Sequence, residues 1–332
     1  MKWKTLKACA FGTMLSVTAQ ATAAEELAFA TFVPAASPTI QKIYQPWIEW
    51  FNARTAEDDL SIKMYAGGTL GRSPLAQADL VANGVADITL TVPSYTPGVY
   101  PDYDVFELPG FARSTAEGST AVKELYEEGK LRGYEDFHVV AVYTSDAYML
   151  HTRPEIRSFD DIADKKIRVA GQIQTAVVEA MGAVPQNMSA LEMAENIDRG
   201  LIDGAVADAS VAKTFRVADV ATNHYAGELG VVVFMVIMNK DVYEALPESA
   251  KEALAESRQY IVDKQIEVYS AAVDANVAAW TEDAEHNVVV PSAGDFAMIQ
   301  DAVQPVFDRV RDNASDGLIE AYAAKIKEIR AR

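Results

Sequence analysis

Covalent or metal chemistry in this chain would have to come from four histidines, one cysteine and many carboxylates. His138, His151, His224 and His286 share no ligand spacing with one another or with a nearby acid. No H-E-x-x-H and no G-x-S-x-G is present. Gly67-Gly68-Thr69-Leu70-Gly71 lacks the lysine that a phosphate-binding loop requires. Asp102 and Asp104 have the spacing of calcium-type oxygens. The glycine and closing glutamate of an EF-hand are absent, however, and both read as turn residues. No metal, no cofactor and no catalytic group is expected, and the chain does not read as an enzyme.

Lys2, Lys4 and Lys7, an apolar run from Ala8 to about Ala19, and Ala21-Thr22-Ala23 read as a secretory signal peptide over residues 1–23. The run is shorter than the ~20 residues of a membrane-spanning helix. Leu6-Lys7-Ala8-Cys9 has the outline of a lipid-attachment site, but no apolar region precedes it. Cleavage after Ala23 or Ala24 would remove Cys9, leaving no thiol for a disulfide, a metal or a nucleophile. The formal charge is −19, and loss of the three signal lysines takes it to −22. That argues against nucleic acid or an anionic membrane surface as partner.

Apolar periodicity alternates strand and helix. Strands are expected at 27–33, 60–65, 86–92, 137–143 and 166–170, and helices at 38–54, 73–82 and 114–128. Such alternation implies parallel sheets flanked by helices, an α/β fold. The same 116 residues separate Ser73 from Ser189, Gly84 from Gly200 and Asp87 from Asp203. Each serine can cap a helix, Ser189 with Glu192 as a capping box, and each glycine can end one. The recurrence is either a common helix-to-strand device met twice or the mark of two similar lobes. From Pro247 to about His286 no Gly or Pro interrupts a helical pattern that starts at a Ser249–Glu252 capping box. This is either two helices or one strut across both lobes.

Lys166-Ile167-Arg168-Val169-Ala170, Met181-Gly182-Ala183-Val184-Pro185-Gln186, Ser189 with Glu192, and Gly200-Leu201-Ile202-Asp203-Gly204 form an ordered block. Gly67–Gly71, Thr91–Gly98, Phe106-Glu107-Leu108-Pro109, Met238-Asn239-Lys240 and Leu246-Pro247 accompany it. Together they resemble the substrate-binding proteins of TRAP (tripartite ATP-independent periplasmic) transporters, the DctP-like family, from about Leu27 to the last helix. The resemblance implies a two-lobed periplasmic binding protein fold, type II-like and of the TRAP class, with a hinge and a long lobe-spanning helix. Residues 24–147 and 232–265 would form the first lobe, 148–231 and 285–330 the second, and 247–286 the helix.

It also implies a periplasmic protein, expected as a monomer, that passes a small organic acid to the small and large membrane subunits of a TRAP transporter for ion-gradient-driven uptake. The same fold handing its ligand to a receptor stays open as the alternative. Family members hold a ligand carboxylate with an arginine on a short strand of the second lobe, which here is Arg168. A planar guanidinium matches a carboxylate with two parallel, charge-assisted hydrogen bonds; the competing reading is a surface arginine facing Asp160, Asp161 or Asp164. Ser94 and Tyr95, in the loop after the third strand, and Asp146 and Tyr148, in the crossover, would line the site or pack at the hinge. Many members read D-G-Q-E-N-P where this chain has Asp203-Gly204-Ala205-Val206-Ala207-Asp208, so Ala207 replaces an amide. Asp208 is then a helix cap or a site acid. The expected ligand is a monocarboxylate, aromatic or otherwise bulky; if Asp146 and Asp208 face the cleft with Arg168, the site suits a zwitterion or a metal–carboxylate pair better than a dicarboxylate.

Overall fold

The computed structural model describes residues 25–133 and 135–332; the expected signal peptide and Cys9 lie outside them. Two sheets organise the chain. The first runs, edge to edge, through Leu60–Tyr65, Glu25–Ala30, Ile88–Thr91, Val233–Asn239 and Phe137–Thr144. The second runs through Asn287–Val289, Asn223–Tyr225, Met149–Thr152, Gly204–Ala207, Lys166–Val169 and Val184–Asn187. Central strands such as Ile88–Thr91 and Gly204–Ala207 are buried along their whole length. Neither carries a charged residue, as strands covered by helices on both faces require.

The expected parallel sheets are in fact mixed. Val233–Asn239 runs antiparallel to both its neighbours in the first sheet, and Met149–Thr152 to both of its own in the second. These are the strands joined to the two crossings between lobes, so each enters its sheet from the opposite end. The crossings also bond to each other. Ser145 N donates to Val232 O at 2.9 Å, Tyr148 N to Gly230 O at 2.8 Å and Leu229 N to Tyr148 O at 3.0 Å. This paired ribbon is the hinge.

The 116-residue recurrence is structural. Gly84 N donates to Val81 O and Val85 N to Leu80 O; Gly200 N donates to Ile197 O and Leu201 N to Asn196 O. Both glycines sit in the left-handed region, at φ +68° and +69°, as helix-ending residues do. The aspartates that follow repeat one contact too, Asp87 accepting from Ala28 N at 2.7 Å and Asp203 from Lys166 N at 2.8 Å. Only the start of the unit differs. Ser189 and Glu192 form their box, whereas Ser73 makes no capping bond.

The strut is continuous. Glu248–Lys264, a π-helical turn at Gln265–Tyr269, and Ser270–Glu282 follow one another with helical dihedrals at the joins. Its first half packs on the first lobe, where Trp47 Nε1 donates to Ser257 Oγ at 2.8 Å. Its second half packs on the second lobe, where Asn276 Nδ2 donates to Ala209 O at 3.2 Å and Trp280 stacks on His224 at 4.2 Å. The expected Ser249–Glu252 box is absent: the helix starts after Pro247, and Ser249 Oγ donates to Asp58 instead. Residues 285–330 are also shared rather than confined to the second lobe. The helix Leu318–Ile329 lies on Thr115–Glu127 of the first lobe, with Tyr322 against Phe106 at 4.7 Å and Arg330 on Glu117. Its apolar stripe of Leu318, Ile319, Tyr322 and Ile326 needs that aromatic surface to be buried.

Gly230 shows how tightly the hinge is packed. Its φ is +89°, and a Cβ there would lie 2.1 Å from Glu107 O. Gly230→Ala is expected to lower unfolding free energy by about 2 kcal/mol or more, from left-handed strain plus a backbone clash. A urea denaturation midpoint equal to wild type would show that the hinge is looser than this.

Candidate functional site

Arg168 is placed by strand alternation. Ile167 and Val169 fall on one face of Lys166–Val169 and Arg168 on the other, and it is only 1% exposed. Its Nε donates to Met188 O at 2.9 Å, Nη1 to Val206 O at 3.4 Å and Nη2 to the Tyr95 hydroxyl at 3.2 Å. Asp160, Asp161 and Asp164 are not among its partners, which removes the surface-arginine reading. Among the described residues no carboxylate forms a salt bridge with it. Neutral dipoles therefore surround a buried cation.

Tyr95 reaches across the lobes. Its oxygen accepts from Arg168 and from Ala190 N at 3.2 Å, which leaves its own proton for another acceptor. Ser94 lies beside it, buried, with its carbonyl pressed on Gly171: a Cβ on Gly171 would lie 2.6 Å from Ser94 O. Gln172 Nε2 adds a bond to Asp104 Oδ2 at 2.6 Å. The lobes thus meet at Ser94–Gly171, Tyr95–Arg168 and Asp104–Gln172.

Behind these contacts a pocket lies between the lobes. Arg168, Tyr95 and Tyr148 line it, together with Phe32, Phe215 and Phe234. Tyr148 is buried, and burial followed by the charge of Asp208 raises its hydroxyl well above the usual tyrosine range. It is therefore a hydrogen-bond donor, not a phenolate. One charged group and two phenols in an apolar wall is the composition of a small-molecule site.

Neither aspartate is a hydrogen-bond partner of Arg168, the arrangement on which a zwitterionic ligand depended. Asp208 is a helix cap: Oδ1 accepts from Ser210 N at 2.8 Å and Val211 N at 3.0 Å, and Oδ2 from the Tyr269 hydroxyl at 2.8 Å. Burial outweighs those bonds and pushes its carboxyl up to about 7. Asp146 accepts from Thr115 N at 2.8 Å, Thr115 Oγ1 at 3.1 Å and Ala147 N at 2.9 Å, holding the start of the Thr115–Glu127 helix.

Several groups were invisible in the sequence. Phe32 could have been found, because it follows the C-terminal end of the first strand, where α/β proteins bind ligands. Phe215 and Phe234 carried no signal apart from ordinary core. The histidines also need correcting, since sheet register brings three of them together. His151 Nδ1 is 2.7 Å from His224 Nδ1, His224 Nε2 is 2.8 Å from His286 Nδ1, and His151 Nε2 faces Ala207 O at 3.1 Å. A carbonyl only accepts, so His151 carries its proton on Nε2, and each hydrogen bond outward is oriented in turn. Burial holds His151 down to about 4 and His224 to about 2. Among the described residues no three such side chains converge as a metal site. Asp102 is no idle turn residue either: it is fully buried and fixes Arg132 and Ser315.

The family model for bacterial extracellular solute-binding protein, family 7, matches residues 29–313. The uncharacterized protein YiiZ of Salmonella typhimurium is 25% identical over 272 residues, covering 76% of this chain and 78% of that one. The C4-dicarboxylate-binding periplasmic protein DctP of Rhodobacter capsulatus is 22% identical over 279 residues, covering 81% and 82%. A marine metagenome TRAP solute binding protein specific for aromatic acid ligands, solved with metahydroxyphenylacetate, superposes with a TM-score of 0.85 at 25% identity. The match covers 92% of this chain and 99% of that one. A TRAP solute binding protein from Rhodoferax ferrireducens, solved with copurified benzoate, is similar in fold, with a TM-score of 0.82 at 24% identity and coverage of 92% and 98%.

The Asp208 carboxyl gives a pH test of this arrangement. Its folded value of about 7 lies above the unfolded value near 3.9, so the folded chain binds the extra proton between them. That stability is fully present below the unfolded value and lost as pH rises through about 7. Asp208→Asn retains an oxygen for the cap and an amide for Tyr269. It is expected to flatten the fall in stability between pH 4 and 8 by on the order of 1–3 kcal/mol. Parallel stability curves for variant and wild type would contradict a buried, proton-binding cap.

Proposed function

The chain belongs to family 7 of the bacterial extracellular solute-binding proteins, and from that premise we propose that it captures a small monocarboxylate with a bulky apolar body and delivers it to the membrane subunits of a TRAP transporter. The family consists of extracytoplasmic receptors for small organic acids, not enzymes. Among the described residues no helix is long and apolar enough to cross a membrane.

The observation that carries the reading is Arg168, buried without a carboxylate partner on the wall of an apolar cavity. Burying an isolated charge is costly unless it is paired, and a ligand carboxylate supplies the missing anion in bidentate geometry. Tyr95 and Tyr148 are placed to donate to that carboxylate or to flank it. Phe32, Phe215 and Phe234 favour an aromatic or branched body over a hydrated sugar acid. The aromatic acids bound by the metagenome and Rhodoferax ferrireducens proteins are consistent with this choice. A zwitterion is less well matched, because the oxygens of Asp146 and Asp208 are engaged by backbone donors.

Closure is the working step. The first lobe brings Tyr95 onto Arg168, and the contact leaves no room for a side chain at Gly171. The φ of Gly171 is 175°, an extended conformation open to any residue, so its lack of a side chain matters only when the lobes meet.

Two substitutions test binding and closure separately. Wild type at a hundredfold excess of acid over Kd gains about 2.7 kcal/mol, and Arg168→Ala is expected to show no rise in Tm with any carboxylic acid that stabilises wild type. An equal rise in the variant would sink the assignment. Gly171→Ala is expected to keep the ligand-free Tm within about 1 °C and to bind the acid at least about tenfold more weakly, by titration calorimetry. Unchanged affinity would show that closure does not require the Ser94 contact.

A further inference from the structure

A second compartment adjoins the Arg168 cavity. It shares Phe32, Val211, Phe215 and Phe234 with it, so only apolar side chains stand between the two. Its far wall comes from the strut, at the π-helical turn Gln265–Tyr269, which packs against a second π-helical turn at Thr39–Tyr44. A π turn fits one extra residue into a helix at some loss of hydrogen-bond geometry, and such turns concentrate at functional sites. Here the turn opens with Gln265, whose side chain faces the compartment.

Gln265 is 1% exposed, and neither its Oε1 nor its Nε2 has a hydrogen-bond partner among the described residues. The tyrosines beside it are already engaged: the Tyr143 hydroxyl bonds to that of Tyr44, and the Tyr269 hydroxyl donates to Asp208. Buried polar side chains are nearly always satisfied, and one with both atoms orphaned in the wall of a cavity calls for a partner from outside the protein. No lysine, arginine or histidine lines this compartment, so a second carboxylate would find no counter-charge there.

We propose that Gln265 is a second recognition point of the site, reading a neutral hydrogen-bonding substituent, a hydroxyl foremost, at the end of the ligand remote from its carboxylate. This rests on the carboxylate reading of Arg168 and extends it to the other end of the molecule. A primary amide offers a donor and an acceptor, so one hydroxyl can accept from Nε2 and donate to Oε1. The shared phenylalanines between the two compartments suit a ring. The substrate class is a hydroxylated aromatic or similarly bulky monocarboxylate, and dicarboxylates are disfavoured.

The test is calorimetric titration of phenylacetate, 3-hydroxyphenylacetate and 4-hydroxyphenylacetate into wild type, Gln265→Leu, Gln265→Met and Arg168→Ala, with thermal unfolding of each to confirm folding. Wild type is expected to bind at least one hydroxylated acid about tenfold or more tighter than phenylacetate, the scale of one good hydrogen bond. Both Gln265 variants are expected to bring that preference within about twofold, by weakening the hydroxylated acid while phenylacetate holds or improves. The proposal is overturned if wild type does not discriminate, if the preference survives in both variants, or if both weaken all three acids alike, as a purely structural residue would. Arg168→Ala keeps the two readings apart. Loss of all three acids there supports the carboxylate anchor whatever Gln265 does. Wild-type affinity in Arg168→Ala removes that anchor while leaving the discrimination result to stand alone. If wild type binds none of the three, the Gln265 proposal falls, and the Arg168 reading is decided by the thermal-shift comparison over other carboxylic acids.

Discussion

A guanidinium taken out of water and given only neutral partners is the constraint around which the site is arranged. Two backbone carbonyls and one phenol orient Arg168, and dipoles of this kind recover part of its lost hydration without cancelling its charge. The effective penalty for burying an ion is several kcal/mol, and an anion in good geometry is the partner that offsets it. Tyr95 is the only one of the three that comes from the first lobe. The contact that completes closure is thus also the contact that finishes burying the cation. Closing on an empty site leaves the charge uncompensated, whereas closing on a carboxylate does not. Differential stabilisation of that kind is what lets a ligand shift an equilibrium between open and closed forms.

The rest of the fold restricts how that closure can occur. Two chain crossings bonded as a ribbon, and a strut anchored by Trp47 at one end and Trp280 at the other, leave few backbone positions free to change. Glu107 packs against the ribbon at Gly230, and burial pushes its carboxyl up to about 8. It is thus mostly a neutral group at pH 7, and it does not place a second charge behind Tyr148. The π turn at Gln265–Tyr269 falls where the strut passes from one lobe to the other. The same local irregularity that shapes the second compartment is therefore placed at the passage between the lobes.

Much of this was legible in the sequence, for reasons that are local. Ile88–Thr91 and Phe137–Thr144 announce themselves by β-branched, apolar runs. Gly84 and Gly200 do so by the left-handed turn that only glycine adopts cheaply, and Ser189 with Glu192 by a three-residue spacing. Arg168 stood out by resemblance, and its burial without a carboxylate partner is what supports the proposed role. What was not legible depends on register and on competition between partners. The serines at 73 and 249 had the right spacing for caps, but Ser73 makes no capping bond and Ser249 donates to the Asp58 carboxylate instead. His151, His224 and His286 are 73 and 62 residues apart and meet only because their strands pair or pack together. The orphaned amide of Gln265 has no sequence signature at all, since an unsatisfied atom is a property of its surroundings.

An acidic protein that binds an anion looks like a contradiction, and the local chemistry resolves it. The formal charge of −19 is spread over the surface, where the field of an exposed carboxylate fades within the ~8–10 Å Debye length. The two carboxyls closest to the site in the sequence reading do not add to that field in full. Asp146 is spent on a helix N-terminus, where the positive end of the backbone dipoles offsets it. Asp208 sits on another, and burial brings its titration to about 7. Arg168 itself has only neutral partners, the carbonyls of Met188 and Val206 and the Tyr95 hydroxyl. That arrangement favours one negative charge and no more, because the second compartment, lined by phenylalanines and an amide, has nothing to neutralise another. The proposed preference for a single carboxylate on a bulky apolar body rests on how the acids are used, not on how many there are.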